Sequence, residues 1–238
     1  MKIALIGFGK MGKAIESLVP HHEIILKVDK ENSNSWTIAQ LAEADVAIEF
    51  SQPESAFDNL VKCFEAGVPV VCGTTGWLKQ REELEKICNE KKGGFFYASN
   101  FSIGVNIFFQ LNNILAKMMN DHSQYEISME EIHHTQKLDA PSGTAITLAK
   151  GILQNIERKK GWVKEQAIFD HEIPIRSKRI ANTPGTHSIN YSSPFDDIEI
   201  IHTAHSREGF ARGAIQAAEW MVGKQGIYGM EDMLKLYD

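Results

Sequence analysis

The sequence predicts an α/β protein: a parallel sheet wrapped by helices, joined to a smaller α+β domain. Three observations carry this reading. The first hundred residues alternate short apolar runs with helical patterns in repeated β-α-β order, which calls for a parallel sheet covered on both faces. A glycine-rich turn, Gly7-Phe8-Gly9-Lys10-Met11-Gly12, sits between the first strand and the first helix. Near Asn100 the order breaks into one long apolar helix followed by more widely spaced strands.

Element by element, Lys2–Ile6 reads as a buried strand, followed by a helix with Met11, Ile15, Leu18 and Val19 on one face. Glu23–Val28 and Val46–Phe50 are the second and third strands. A helix opened by Pro53 turns Phe57, Leu60, Val61 and Phe64 inward and stops before Gly67. Val68–Cys72 is the fourth strand, a charged helix covers 79–91, and Phe95–Ala98 closes the Rossmann-like series. The long helix spans 104–119, with Ile107, Phe108, Leu111, Ile114, Leu115 and Met118 expected on its buried side. Tyr125–His133 is a strand, 135–143 a polar loop, and the next helix buries Ala145, Leu148, Ala149, Ile152 and Leu153. Glu172–Arg176 and Ile198–Ala204 are strands. The last helix, 207–222, turns Phe210, Ala214, Ala217, Ala218 and Met221 inward. The expected division is a dinucleotide-binding domain of residues 1–102 and 207–238, and a substrate-binding and oligomerisation domain of 103–206.

Bulk composition excludes several classes. A net charge of −6 lacks the basic field that nucleic acid requires, though it permits a small anion bound by local charge. The apolar run at the N-terminus stops at Gly7, too short for a signal peptide or a membrane span. Cys63, Cys72 and Cys88 form no CxxC pair and are odd in number, as expected of buried free thiols in a cytoplasmic protein.

The glycine turn fits G-x-G-x-x-G in its proper strand-turn-helix context. Gly7 permits the tight turn, Gly9 the approach of a pyrophosphate, and Gly12 close helix-sheet packing. Phe8, Lys10 and Met11 complete the loop, and the helix start behind it offers free N–H groups to phosphate. Asp29 ends the second strand, where an acid meets the adenosine ribose, and favours NAD; Lys30 beside it favours a 2′-phosphate. The coenzyme is therefore read as NADH or NADPH. Gly73, Thr74 and Thr75 follow the fourth strand, and Ala98, Ser99, Asn100 and Phe101 the fifth. Both segments fall at carboxyl ends of strands, on the side of the nicotinamide half.

The densest chemistry lies in 131–145, Glu-Ile-His-His-Thr-Gln-Lys-Leu-Asp-Ala-Pro-Ser-Gly-Thr-Ala. At a strand end, His133 and His134 point to opposite faces and hence to different tasks. Lys137 is near enough in sequence to fold back over either. Ser142, Gly143 and Thr144 either cap the next helix or offer N–H groups to a carboxylate. His202 and His205 do not make a metal centre with them, because a spacing of three on a strand sends the two rings to opposite faces.

This segment resembles the E-x-H-H-x-x-K-x-D-A-P-S-G-T-A signature of the 4-hydroxy-tetrahydrodipicolinate (dihydrodipicolinate) reductases. The resemblance extends to Met11-Gly12, to Gly73-Thr74-Thr75-Gly76, to the run Asn100 to Asn106, and to the run Phe210 to Ile215, in family order. It implies reduction of 4-hydroxy-tetrahydrodipicolinate to 2,3,4,5-tetrahydrodipicolinate by NADH or NADPH, in lysine and diaminopimelate biosynthesis. It further implies His133 and Lys137 as the acid–base pair, and His134, Lys137, Ser142, Gly143 and Thr144 around the carboxylates of a small dicarboxylate substrate. No metal ion is implied, and the resemblance implies a homo-oligomer, a tetramer formed through the second domain. Between 155 and 200 the chain departs from the family. Pro184 to Tyr191 stands where members carry R-G-G-x-x-G-x-H, so a trimmed second-domain sheet is expected.

Overall fold

The structure is a computed structural model that describes residues 1–33 and 35–236. Its contacts divide the chain into two compact units, Met1–Ile103 with Glu208–Asp238, and Gly104–Arg207.

The first unit is built on a six-stranded parallel sheet. Its strands are β1 (Lys2–Ile6), β2 (Glu23–Val28), β3 (Val46–Glu49), β4 (Val70–Cys72), β5 (Gly94–Tyr97) and β11 (Gly226–Tyr228), in the order β11-β5-β4-β3-β1-β2. Strand direction of travel reverses at β1, which has β2 on one side and β3 on the other, so the crevice beyond their carboxyl ends is the expected ligand position. The strands are apolar on both faces because both are covered. Ile3, Leu5, Ile48 and Phe96 pack beneath α1 (Lys10–Leu18), α7 (Glu208–Met221) and α8 (Met230–Leu234). Ala4, Ile6, Cys72 and Phe95 pack beneath α2 (Ile38–Leu41), α3 (Pro53–Glu65) and α4 (Arg81–Glu90). All three cysteines are buried free thiols, and burial raises each of them, Cys88 to about 11.

The second unit carries a mixed five-stranded sheet: β6 (Glu126–His133), β7 (Gly161–Lys164), β8 (Glu172–Arg179), β9 (Gly185–Ser192) and β10 (Asp197–Ala204), ordered β10-β9-β6-β8-β7. Inward residues alternate: Ile127 and Met129 on β6, Ile173 and Ile175 on β8, Ile189 and Tyr191 on β9. They pack with α5 (Ile103–Met119) and α6 (Gly143–Asn155). Sequence reading missed β7, β9 and β11 and the short helices α2 and α8. It began the fourth strand two residues early and ended β8 three residues short.

The expected buried face of α5 needs correction. Val105, Phe108, Asn112, Ala116 and Met119 are buried, whereas Ile107, Leu111, Ile114 and Met118 are exposed, Met118 to 67%. The helix is apolar nearly all round, so periodicity alone could not choose which stripe meets the sheet. Among the described residues, no helix is long and apolar enough to cross a membrane.

Lys159 shows how the second unit handles a buried charge. Its side chain is 2% exposed, and the ammonium donates to the Asp170 carbonyl at 2.5 Å, the Glu172 carbonyl at 3.3 Å and the Glu126 carboxylate at 3.2 Å. Lys159→Met is expected to strand two carbonyls and lower stability by about 2–3 kcal/mol, measurable by urea titration.

Candidate active site

At the first unit's crevice, a cavity of about 600 Å³ is lined by Gly7, Phe8 and Gly9, by Asp29 and Lys30, and by Ser51 and Lys62, among others. The turn leaves β1 with Gly7 at φ +98, held by Gly7 and Phe8 N–H groups that both donate to the Val28 carbonyl. A Cβ at Gly7 would lie 2.1 Å from the Phe50 carbonyl oxygen, and one at Gly12 would lie 2.6 Å from the Gly7 carbonyl oxygen. Both glycines are therefore steric necessities of the turn. Around Gly9 there is open space, and among the described residues no side chain caps α1. Exposed N–H groups at a helix start beside an unobstructed turn suit a pyrophosphate.

Asp29 is partly engaged in its own turn: Oδ1 accepts from the N–H groups of Glu31 at 2.8 Å and Asn32 at 3.1 Å. Thr74 is buried, and its hydroxyl accepts from the Ser51 N–H at 2.8 Å, tying the loops after β3 and β4 together. Gly73 lies against the Phe50 ring, and Thr75 is exposed next to it. After β5, Asn100 Oδ1 accepts from the Ser102 N–H at 2.9 Å, which shapes the Ala98-Ser99-Asn100-Phe101 turn. The Phe101 ring is buried against Phe50 and Phe96, so its side chain belongs to the core. Lys62, its ammonium 4.3 Å from the Trp36 ring, is a cavity cation that the sequence reading missed.

The second unit's chemistry is the polar end of its buried sheet face. Strand alternation carries the inward line from Ile127 and Met129 on to Glu131 and His133. Register then sets their neighbours. Ser177 on β8 and His187 on β9 flank Glu131, and Arg179 on β8 flanks His133. On the other side of His133, a Cβ at Gly185 would lie 2.9 Å from the imidazole Cε1, so the missing side chain makes room for that ring.

Glu131 is fully buried. Its Oε2 accepts from the Ser142 N–H at 2.9 Å and its Oε1 from the Ser177 hydroxyl at 2.9 Å, with Arg179 at 3.5 Å. Burial alone would raise its carboxyl. Hydrogen bonds from His133, Ser142 and Ser177 outweigh that and hold it well below the usual carboxylate range. His133 places Nδ1 3.3 Å from the Pro184 carbonyl and Nε2 3.4 Å from His187 Nε2, with Glu131 Oε2 at 3.6 Å. His187 Nε2 also meets the Ser142 hydroxyl at 3.1 Å. Burial, then the neighbouring His133, lowers His187 to about 4 against the opposing pull of Glu131. Glu131, His133 and His187 have the residue types and the spacing, within 4.8 Å, of a metal-ligand trio. Serine and arginine donors already occupy both oxygens of the carboxylate, so the trio is equally complete as a proton-sharing cluster.

Both shifts destabilise the folded unit in acid. Between its ordinary value of 6.5 and about 4, His187 takes up a proton in the unfolded chain but not in the folded one. Stability therefore falls as pH drops through that window, by on the order of 3 kcal/mol. Glu131 adds a further loss below its ordinary value of 4.5. Melting temperature is expected to fall from pH 7 to 4, and the fall should be shallower in His187→Leu.

The remaining candidates lie around this cluster. Lys137 donates to both Asp139 oxygens, at 2.7 and 2.9 Å, and Arg179 braces the same loop through the Lys137 and Asp139 carbonyls. His134, past the strand end, places Nε2 3.3 Å from the Arg207 guanidinium. Ser142 caps α6 by accepting from the Ala145 N–H at 3.2 Å, and its buried hydroxyl faces His187. Gly143 and Thr144, in the first turn of α6, are more open than Ser142. His202, on β10, has its ring 5.9 Å from Phe108, while His205 lies beyond the strand end.

Sequence reasoning missed His187, Ser177, Arg179 and Gly185. The signal for His187 was present in its alternation with Ile189 and Tyr191. Polar residues between them, and Pro184-Gly185 before them, disguised the strand.

Known proteins match nearly the whole chain. Residues 1–101 match the dihydrodipicolinate reductase N-terminal family model and 104–234 the C-terminal one. The chain is 50% identical over 236 residues to a 4-hydroxy-tetrahydrodipicolinate reductase of Christiangramia forsetii, covering 98% of each. It is 32% identical to the enzyme of that name from Neisseria gonorrhoeae, over 99% of this chain and 98% of that one. Among solved structures, a dipicolinate-bound dihydrodipicolinate reductase from Paenisporosarcina sp. TG-14 shares the fold, with a TM-score of 0.76, 24% identity and 98% coverage of both chains. On these matches, the chain belongs to the dihydrodipicolinate reductase family.

Proposed function

We propose that this oxidoreductase reduces 4-hydroxy-tetrahydrodipicolinate to 2,3,4,5-tetrahydrodipicolinate, the reductive step of lysine and diaminopimelate biosynthesis. The observation that carries the reading is 50% identity to a reductase of that name over 98% of both chains. In this reading, Met1–Ile103 with Glu208–Asp238 binds the dinucleotide, and Gly104–Arg207 binds substrate and forms the oligomer. A homotetramer in the cytoplasm is part of the proposal. The exposed stripe Ile107, Leu111, Ile114 and Met118 supports an oligomer, and the three buried thiols suit a reducing compartment.

Overall, the substrate loses water and gains a hydride and a proton. The reduced nicotinamide coenzyme, NADH or NADPH, supplies the hydride. Gly7 to Gly12 would hold its pyrophosphate, with Asp29 at the ribose and Lys30 at a 2′-phosphate; the cavity beside the turn and the uncapped start of α1 support this. Gly73 to Thr75 and Ala98 to Phe101 shape the nicotinamide side. Lys137 and His134, with the N–H groups of the Ser142-Gly143-Thr144 helix start, hold the two substrate carboxylates. His133 and Lys137 supply the proton to the ring as hydride arrives.

The direct test mixes purified protein, freshly generated 4-hydroxy-tetrahydrodipicolinate and NADH or NADPH, and follows nicotinamide absorbance. Substrate-dependent oxidation is the expected result, and its absence with both coenzymes would refute the assignment. Asp29→Ala is expected to lower kcat/KM with NADH about tenfold while sparing NADPH. An unchanged ratio would remove Asp29 from the ribose site.

A further inference from the structure

We propose that Glu131 and His187 are positioning residues that hold the His133 ring in one orientation with a proton on Nε2. The inference rests on the reading of His133 as a proton donor to the substrate.

Donors and acceptors around the ring constrain where its protons sit. His133 Nδ1 faces the Pro184 carbonyl, which only accepts. Its Nε2 faces the Glu131 carboxylate at 3.6 Å and His187 Nε2 at 3.4 Å. The carboxylate also only accepts. The Ser142 hydroxyl, whose oxygen accepts from the Ala145 N–H and keeps a second lone pair, lies 3.1 Å from His187 Nε2 and can give or take a proton there. A bare lone pair on His133 Nε2 would face the carboxylate, a stronger acceptor than the Pro184 carbonyl at Nδ1, so Nε2 is the nitrogen that the cluster keeps protonated. His187 Nε2, 3.4 Å away, then faces that proton as an acceptor.

The surroundings set the charge. Glu131 lies on the strand of His133 and His187 on β9. Arg179 comes from β8, Lys137 and Asp139 from the following loop, and His202 from β10. Burial lowers both His187 and His202, which keeps added positive charge off the cluster, and among the described residues the Glu131 carboxylate is the full negative charge that touches the ring. The ring itself is gripped sterically, with Gly185 leaving just the space that it occupies. Such a cluster would return a proton to the same nitrogen after each turnover.

The test compares Glu131→Gln, His187→Leu and His187→Gln with the unaltered protein, all as full-length chains. Glu131→Gln is expected to lower kcat 10- to 100-fold with both KM values within twofold. It should also move the alkaline limb of the kcat–pH profile to lower pH, because the charge that favours the proton is gone. His187→Leu is expected to lower kcat about tenfold, and His187→Gln, whose amide can restore the bond, to recover most of it. Dinucleotide binding and circular dichroism serve as folding controls. If Glu131→Gln does not fold, the two His187 variants decide the matter.

Unchanged kcat and an unmoved pH limb in Glu131→Gln and His187→Leu, with His133→Gln inactive, would overturn the proposal and leave His133 as donor. Full activity in His133→Gln would instead overturn the donor reading itself. One equivalent of divalent metal in the purified protein, lost in His187→Leu, would replace the proton-sharing cluster by a metal centre.

Discussion

Lys137→Ala is expected to lower kcat by about 10²- to 10⁴-fold and to raise KM for the dicarboxylate, while coenzyme affinity stays within twofold. Lys137 is the one proposed site residue given two roles, carboxylate anchor and partner of His133 in proton supply. Its side chain is 21% exposed and that of its partner, Asp139, 59%, so the carboxylate that now holds it is one a substrate carboxylate can displace. The interaction lowers Asp139, chiefly through the hydrogen bond from Lys137. Removing the lysine therefore touches neither the sheet nor the glycine turn, and calorimetry with NADH or NADPH alone should report near-normal binding. An equal loss of coenzyme and substrate affinity would show that Lys137 is not confined to the substrate site.

Gly7→Ala is expected to cost about 3 kcal/mol or more of stability and to abolish coenzyme binding. Two independent penalties combine there. The backbone is at φ +98, where L side chains are strained, and the added Cβ would lie 2.1 Å from the Phe50 carbonyl oxygen. That oxygen belongs to the chain just past β3, so relief requires shifting the strand next to β1. The crevice lined by Gly7, Phe8, Gly9 and Phe50 would deform with it. Urea denaturation and dinucleotide titration measure the two effects separately. Gly9→Ala is the contrasting control: its Cβ meets open space, so stability should hold while coenzyme affinity falls. Equal stability loss in both variants would mean that the clash at Gly7 does not set the cost, since Gly→Ala by itself lowers the entropy of the unfolded chain and stabilises the fold.

Local sequence patterns sufficed for the parallel sheet, the glycine turn and the candidate catalytic stretch. Each is local: strand, turn and helix follow within the first 18 residues, and 131–145 is one unbroken run. Local signals survive without knowledge of partners, because period, capping and turn chemistry act over a few residues. What tertiary structure alone decided was pairing. The stripe of α5 that meets the sheet was undecidable from a helix apolar on nearly every side, and the chosen face was wrong at Ile107, Leu111, Ile114 and Met118. His187, 54 residues from His133, and Arg179, 48 residues from Glu131, entered the site only through strand register. Glu131 stood in plain view two residues before His133, on the same strand face. Its environment still had to come from Ser142, Ser177 and Arg179 on other elements, since burial and hydrogen bonding are properties of the assembled sheet and not of any one segment.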